Sequence, residues 1–70
     1  MMTNTLTKVP LRCSWAEVHA IVEPCIDADL WSWAIVVDGG TFDSSYADDR
    51  EEAIRDAKAR WTDHLAEVAS

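Results

Sequence analysis

The stretch WSWAIVVDGGTFDSSYA, residues 31–47, constrains the fold more than any other part of the chain. Trp31, Trp33, Ile35 and Val37 recur at every second position, with Ser32, Ala34, Val36 and Asp38 between them. A period of two belongs to a β-strand, whose successive side chains point to opposite faces. Asp38-Gly39-Gly40 follows at once, and glycine tolerates the positive φ of a tight hairpin turn. Beyond the turn TFDSSYA alternates again, with Phe42, Ser44 and Tyr46 sharing one side. The pattern predicts a β-hairpin over about 31–46.

A lone hairpin is marginal in water, so its tryptophan face needs a cover. From Asp49 to about Val68 the period changes to 3.6. Ile54, Ala57, Trp61, Leu65 and Val68 fall within about 80° of one another on a helical wheel. A helix over 49–68 lying across Trp31, Trp33, Ile35 and Val37 gives an α+β fold. A small antiparallel sheet, with room for a third strand, sits under a long C-terminal helix. Residues 14–23, SWAEVHAIVE, read two ways. As a helix, Ser14 and Glu17 form a capping box and Trp15, Val18 and Val22 make a stripe. As a strand, Val18, Ala20 and Val22 alternate with Glu17, His19 and Glu23. The expectation leans to a short helix, because the cap and the stripe agree, and Pro24 ends either version.

Seventy residues are expected to make one domain, with 1–9 flexible because that stretch is polar and aperiodic. A chain this short hides only ~60% of its unfolded surface. Four tryptophans, each with roughly 150–250 Å² to bury, compensate for that. Trp33 and Trp61 are assigned to the core. Trp15 and Trp31 are divided between core and contact surface.

Net charge is −7 and unevenly spread. Residues 1–16 carry Lys8 and Arg12 and no acid; residues 17–70 hold all 13 acids against Arg50, Arg55, Lys58 and Arg60. Direct nucleic-acid binding is disfavoured, because Lys and Arg contacts to phosphate supply most of that affinity. Acidic membrane surfaces are disfavoured on the same ground. The N-terminus has no apolar h-region, and Leu30–Val37 is far short of the ~20 residues that span a bilayer. A cytoplasmic protein is the expectation, in the host cell if the gene is carried by a phage.

Catalytic and metal signatures are missing. Cys13, Cys25, His19 and His64 match no zinc spacing, and His64 lies at the edge of the helical stripe as a packing residue. Asp27-Ala28-Asp29 lacks the further oxygens and the glycine of a calcium loop, and reads as a solvated turn. Cys13, Ser14 and His19 show no nucleophile elbow. No enzyme, no metal and no cofactor are expected. The two thiols are expected to be free rather than bridged.

What remains is YADDREEA, residues 46–53, with Asp48, Asp49, Glu51 and Glu52 around Arg50. Asp48-x-x-Glu51 and Asp49-x-x-Glu52 are both capping boxes, and the helix dipole favours acids there by about 0.3–1 kcal/mol each. Asp49, Glu52, Asp56, Asp63 and Glu67 also share a sector of about 60°, opposite the apolar stripe. Arg60 alone interrupts them, while Arg55 and Lys58 on the flank pair locally with Glu51 or Glu52. The result is an acidic ridge roughly 27 Å long with carboxylates about 6 Å apart, comparable to phosphates on a nucleic-acid strand. A basic groove built for nucleic acid attracts such a ridge. Asp48, Asp49, Glu52, Asp56, Asp63 and Glu67, with Trp31 as an aromatic anchor, are the candidate partner-binding residues. A free hairpin edge also leaves open pairing with a second copy as a homodimer.

Short length, surplus Asp and Glu, a compact α+β pattern and no catalytic motif resemble the small acidic anti-CRISPR proteins of phages and mobile elements. That resemblance implies an inhibitor that occludes the DNA-binding path of a CRISPR effector complex. Residues 31–65, with strand, Asp38-Gly39-Gly40 turn, strand and a helix beginning EEAIRDA, also resemble half of a HicB-type antitoxin domain. The second resemblance implies an antitoxin-like or regulatory interaction module, although the chain lacks a second copy of the unit.

Overall fold

In the computed structural model, residues 6–26 and 28–69 are described. They form β1 (Thr7–Pro10), β2 (Val18–Pro24), β3 (Trp31–Val37), β4 (Gly40–Ala47) and helix α1 (Arg50–Ala69). The strands make one antiparallel sheet in the order β1-β2-β3-β4, and α1 packs on β2, β3 and β4. The fold is α+β, a four-stranded sheet covered on one face by one helix.

The hairpin forms because its loop residues accept the backbone it needs. Asp38 has φ 50° and Gly39 has φ 88°, the paired positive values of a two-residue turn whose twist matches that of the strands. Gly40 already pairs with Val37. The Asp38 turn is also tied to the start of β2. Its backbone N–H donates to the Glu17 carbonyl at 2.9 Å, and its Oδ1 accepts from the Glu17 N–H at 3.0 Å.

Those bonds bear on residues 14–23, where the leaning towards a helix is corrected. Val18–Pro24 is a central strand, hydrogen-bonded to β1 and to β3. As a strand it buries Val18, Ala20 and Val22 to 7%, 1% and 0% exposure, opposite Val37, Ile35 and Trp33. A helical stripe would have needed Trp15 inside, and Trp15 is 57% exposed. The Glu17 N–H is spent on Asp38 rather than within a helical turn. Alternation over the buried side chains outweighs a local cap.

Thr7–Pro10 is likewise an edge strand where flexible chain was expected over 1–9; residues 1–5 lie outside the described residues. Thr7 and Val9 stand opposite Val22 and Ala20. Pro10, which cannot donate to a ladder, sits on an edge where its missing N–H costs little.

Phe42, Ser44 and Tyr46 do not share one side, as alternation had suggested. Ile35 pairs with Asp43 and Val36 with Thr41, so Phe42 is the extra residue of a β-bulge. The bulge resets the alternation. Ser44 and Tyr46, opposite Ala34 and Ser32, face away from the helix. Phe42 instead meets Trp61 edge-on at 5.5 Å.

The core comprises Val18, Ala20, Val22, Trp33, Ile35, Ala47, Ala53, Ala57 and Trp61. On the helix the buried line is Ala53, Ala57 and Trp61, with Ile54 and Leu65 partly buried beside it and Val68 55% exposed. The stripe expected at Ile54, Ala57, Trp61, Leu65 and Val68 is thus rotated by roughly 40°. Two fully buried alanines let the backbone approach the sheet, which larger side chains at those positions would prevent.

Candidate functional site

The start of α1 answers what YADDREEA is for. Asp49 is the N-cap: its carbonyl accepts from the Ala53 N–H at 3.0 Å and its Oδ1 accepts from the Glu52 N–H at 2.8 Å. Glu52 reaches back, its Oε1 accepting from the Asp48 N–H at 3.0 Å. Of the two candidate boxes the Asp49–Glu52 one is used, because it matches a helix whose first turn begins at Arg50. Each carboxylate has oxygens left over, and Asp48 and Glu51 are exposed.

Further along, Asp56 is half-buried and Asp63 exposed, and neither side chain has a hydrogen bond or ion pair among the described residues. Glu67 is exposed one turn beyond Asp63. Because the buried line is rotated, these acids do not stand opposite it. With Ala57 inward, Asp49, Glu52, Asp56, Asp63 and Glu67 fall about 80–140° to one side. That side is the one over β4, since Arg60, lying between it and the core, reaches Asp43 of β4. The ridge is therefore a flank, with Glu52 and Asp56 half-buried against the sheet margin.

Arg60 does not lie among those acids as an exposed cation. Its Nε donates to Asp43 Oδ2 at 2.7 Å, and its guanidinium sits 5.1 Å from the centre of the Phe42 ring. Hydrogen bonding from Arg60, then from the Ser44 N–H, holds the Asp43 carboxyl below the usual carboxylate range. The expected local pairs of Arg55 and Lys58 with Glu51 or Glu52 do not form; Arg60–Asp43 is the one ion pair among the described residues. The His64 ring lies tilted against Phe42 at 4.6 Å and against Trp61 at 5.1 Å between ring centres, a packing role. The sequence pattern marked Arg60 as the interruption of the acidic sector but not its partner, because the bulge is what sets Asp43 opposite Ile35 on the helix side.

Trp31 is half-buried and packs on the core, away from Asp56 and Asp63 but beside the helix start. It shares an open cleft of about 450 Å³ with Asp48 and Asp29. The structure thus groups Trp31 with Asp48 at one end and places Asp56, Asp63 and Glu67 along the flank. Asp27 lies outside the described residues.

The other flank has the opposite character. Lys58 and Leu65 border a cleft of about 380 Å³ with Pro10, Leu11 and Arg12. The pairing expected for Lys58 fails on spacing: three and four residues either side of it stand Arg55, Ile54, Trp61 and Thr62, so no acid is in helical reach. Cys13 and Cys25 are unbridged. They flank opposite ends of β2, roughly 20 Å apart, where a disulfide needs Cα atoms within about 7 Å. No helix among the described residues is long and apolar enough to cross a membrane. Compared with protein-family models, curated proteins and solved structures, the chain matches none.

Proposed function

We propose that this chain is a non-enzymatic binding protein whose acidic flank occupies a basic, nucleic-acid-binding surface of a protein complex. The observation that carries this reading is the state of the flank: Asp56 and Asp63 have no partner among the described residues, and Arg60, at helical spacing from both, is bound to Asp43. Desolvating an acid costs free energy, which a Lys or Arg on a partner recovers. The resemblance to small acidic anti-CRISPR proteins makes a CRISPR effector complex the first partner to try.

The test is competition. Purified effector complex is incubated with the chain, and target-DNA binding is measured at low and at moderate salt. Inhibition that weakens as salt rises, and that is lost in Asp56→Lys/Asp63→Lys, supports the reading. DNA binding unchanged under a stoichiometric excess of the folded chain sinks it. An antitoxin-like module is the second reading, favoured by the free outer edge of β4 and the 64% exposed Tyr46. It places a toxin on that edge, so Tyr46→Asp would abolish binding while the two Lys reversals would not.

A further inference from the structure

We propose that the cleft between the β1–β2 connection and the C-terminal half of α1 binds a small carboxylate with an apolar body. The cleft lies on the flank away from the acids and holds about 380 Å³, within the range of about 300–1,000 Å³ seen for small-molecule sites. Its surface is mostly apolar, from Pro10, Leu11, Leu65 and an edge of Trp61, with one hydroxyl from Thr62; its charged residues are Arg12 and Lys58, and none is acidic.

Three observations assign the ligand class. The first is charge. In a chain of net charge −7, Arg12 and Lys58 border one concavity, and neither side chain has a hydrogen bond or ion pair among the described residues. A guanidinium fork takes a carboxylate through two parallel hydrogen bonds, and an ammonium adds a point charge. The second is the lining. Pro10, Leu11, Leu65 and Trp61 make most of the wall, with the Thr62 hydroxyl beside the two cations, so burying apolar surface rewards a hydrocarbon body and a carboxylate brings fewer oxygens to satisfy than a phosphate. The third is preorganisation. The Trp61 indole N–H donates to the Arg12 carbonyl at 2.7 Å, and the Leu11 N–H donates to the Val18 carbonyl at 3.0 Å. The two walls are thus tied before any ligand arrives, which lowers the ordering cost of binding. An arylalkanoic acid satisfies all three: its ring on Leu11, Leu65 and the Trp61 edge, its carboxylate between Arg12 and Lys58.

The full-length chain, labelled with ¹⁵N, is titrated with phenylbutyrate and separately with its primary amide. Saturable shifts of the Trp61 indole N–H and of the Leu11 and Arg12 amides are expected with the acid. The amide binds about tenfold more weakly, and so does the acid to Arg12→Gln or Lys58→Gln. Both substituted residues are exposed, so the fold is kept and circular dichroism checks it. Asp63→Asn, on the other flank, leaves the affinity within about twofold, since charges that far apart are screened. No saturable shift at millimolar phenylbutyrate, equal affinity for acid and amide, or unchanged affinity in both Gln variants overturns the proposal. Shifts centred on the outer sheet residues Ile21, Ala34 and Tyr46 overturn it as well.

Discussion

The two flanks of α1 are built on one helix and differ in almost every respect. Over β4 stand Glu52, Asp56, Asp63 and Glu67, with Arg60 neutralised by Asp43. Over the β1–β2 connection stand Lys58 and Leu65, with Arg12 across the cleft and no acid in its lining. Five acids of this segment fall on the β4 side of the helix, while Glu51 falls in line with Lys58, about two turns towards the helix start. The segment beneath each flank decides what the flank presents: β4 supplies an anion that takes up a cation, and the β1–β2 connection supplies a cation whose side chain has no partner among the described residues. A net charge alone would have hidden this, because −7 describes neither side.

Trp61 is the residue both flanks share, so its removal breaks the comparison most severely. Its ring meets Phe42 and His64 on one side and its N–H holds the Arg12 carbonyl on the other. Trp61→Ala is expected to lower stability by about 3–5 kcal/mol, read as a shifted urea midpoint, as for other buried aromatic truncations. The exposed Val68→Ala should change it by no more than about 0.5 kcal/mol. Trp33 sharpens the point, because its buried indole N–H has no acceptor among the described residues. Trp61→Phe strands the Arg12 carbonyl, whereas Trp33→Phe removes an unpaired donor. The first should therefore cost more than the second, by about 1–3 kcal/mol.

Charge reversal comes next and acts on one flank alone. Asp56→Lys/Asp63→Lys should weaken binding to a basic partner by about tenfold at low salt. The loss should shrink above physiological ionic strength, where the screening length falls below about 8 Å. Measured by titration over a salt series, a loss independent of salt would mean that the flank does not act through its charge. The thermal midpoint should move little, since these acids have no partner among the described residues to lose.

Asp49→Ala tests the capping role of the acids against their binding role. Losing the bond to the Glu52 N–H should cost about 1 kcal/mol and speed amide exchange in the first turn of α1. Asp48→Ala, whose side chain caps nothing, should leave exchange unchanged. Equal effects of the two would show that position near the dipole, not the bond, is what counts.

What the sequence disclosed depended on how many side chains shared one periodicity. The β3–β4 hairpin and the helix span were legible because Trp31, Trp33 and Ile35, then Ala57, Trp61 and Leu65, each repeat a single period. Residues 14–23 were misread because a cap and a stripe at helical spacing coincided with an alternation of equal length. Only the pairing of Val22, Ala20 and Val18 with β3 decides between them. The rotation of α1 was not legible either. It follows from two alanines lying against the sheet, which a hydrophobicity pattern ranks below Ile54 and Val68. The acids of the candidate surface were found by counting charge. Their position beside β4, and the cationic cleft opposite, needed the helix to be docked first.

The smallest effect belongs to Arg60–Asp43, and it probes whether β4 tunes its flank. Arg60 and then the Ser44 N–H hold the Asp43 carboxyl below its ordinary value in the folded chain. A depressed folded value means that the contribution is complete above the unfolded value of about 3.9 and is lost as pH falls through the folded one. Asp43 and Arg60 are each more than a third exposed, so screening keeps the contribution small. Arg60→Met retains much of the packing on Phe42 and removes the bond. Its stability deficit relative to the parent chain should be constant from neutral pH down to about 4 and close below that. A deficit that persisted unchanged into strong acid would assign Arg60 to packing on Phe42 rather than to charge, and the acid flank would then owe nothing to the strand beneath it.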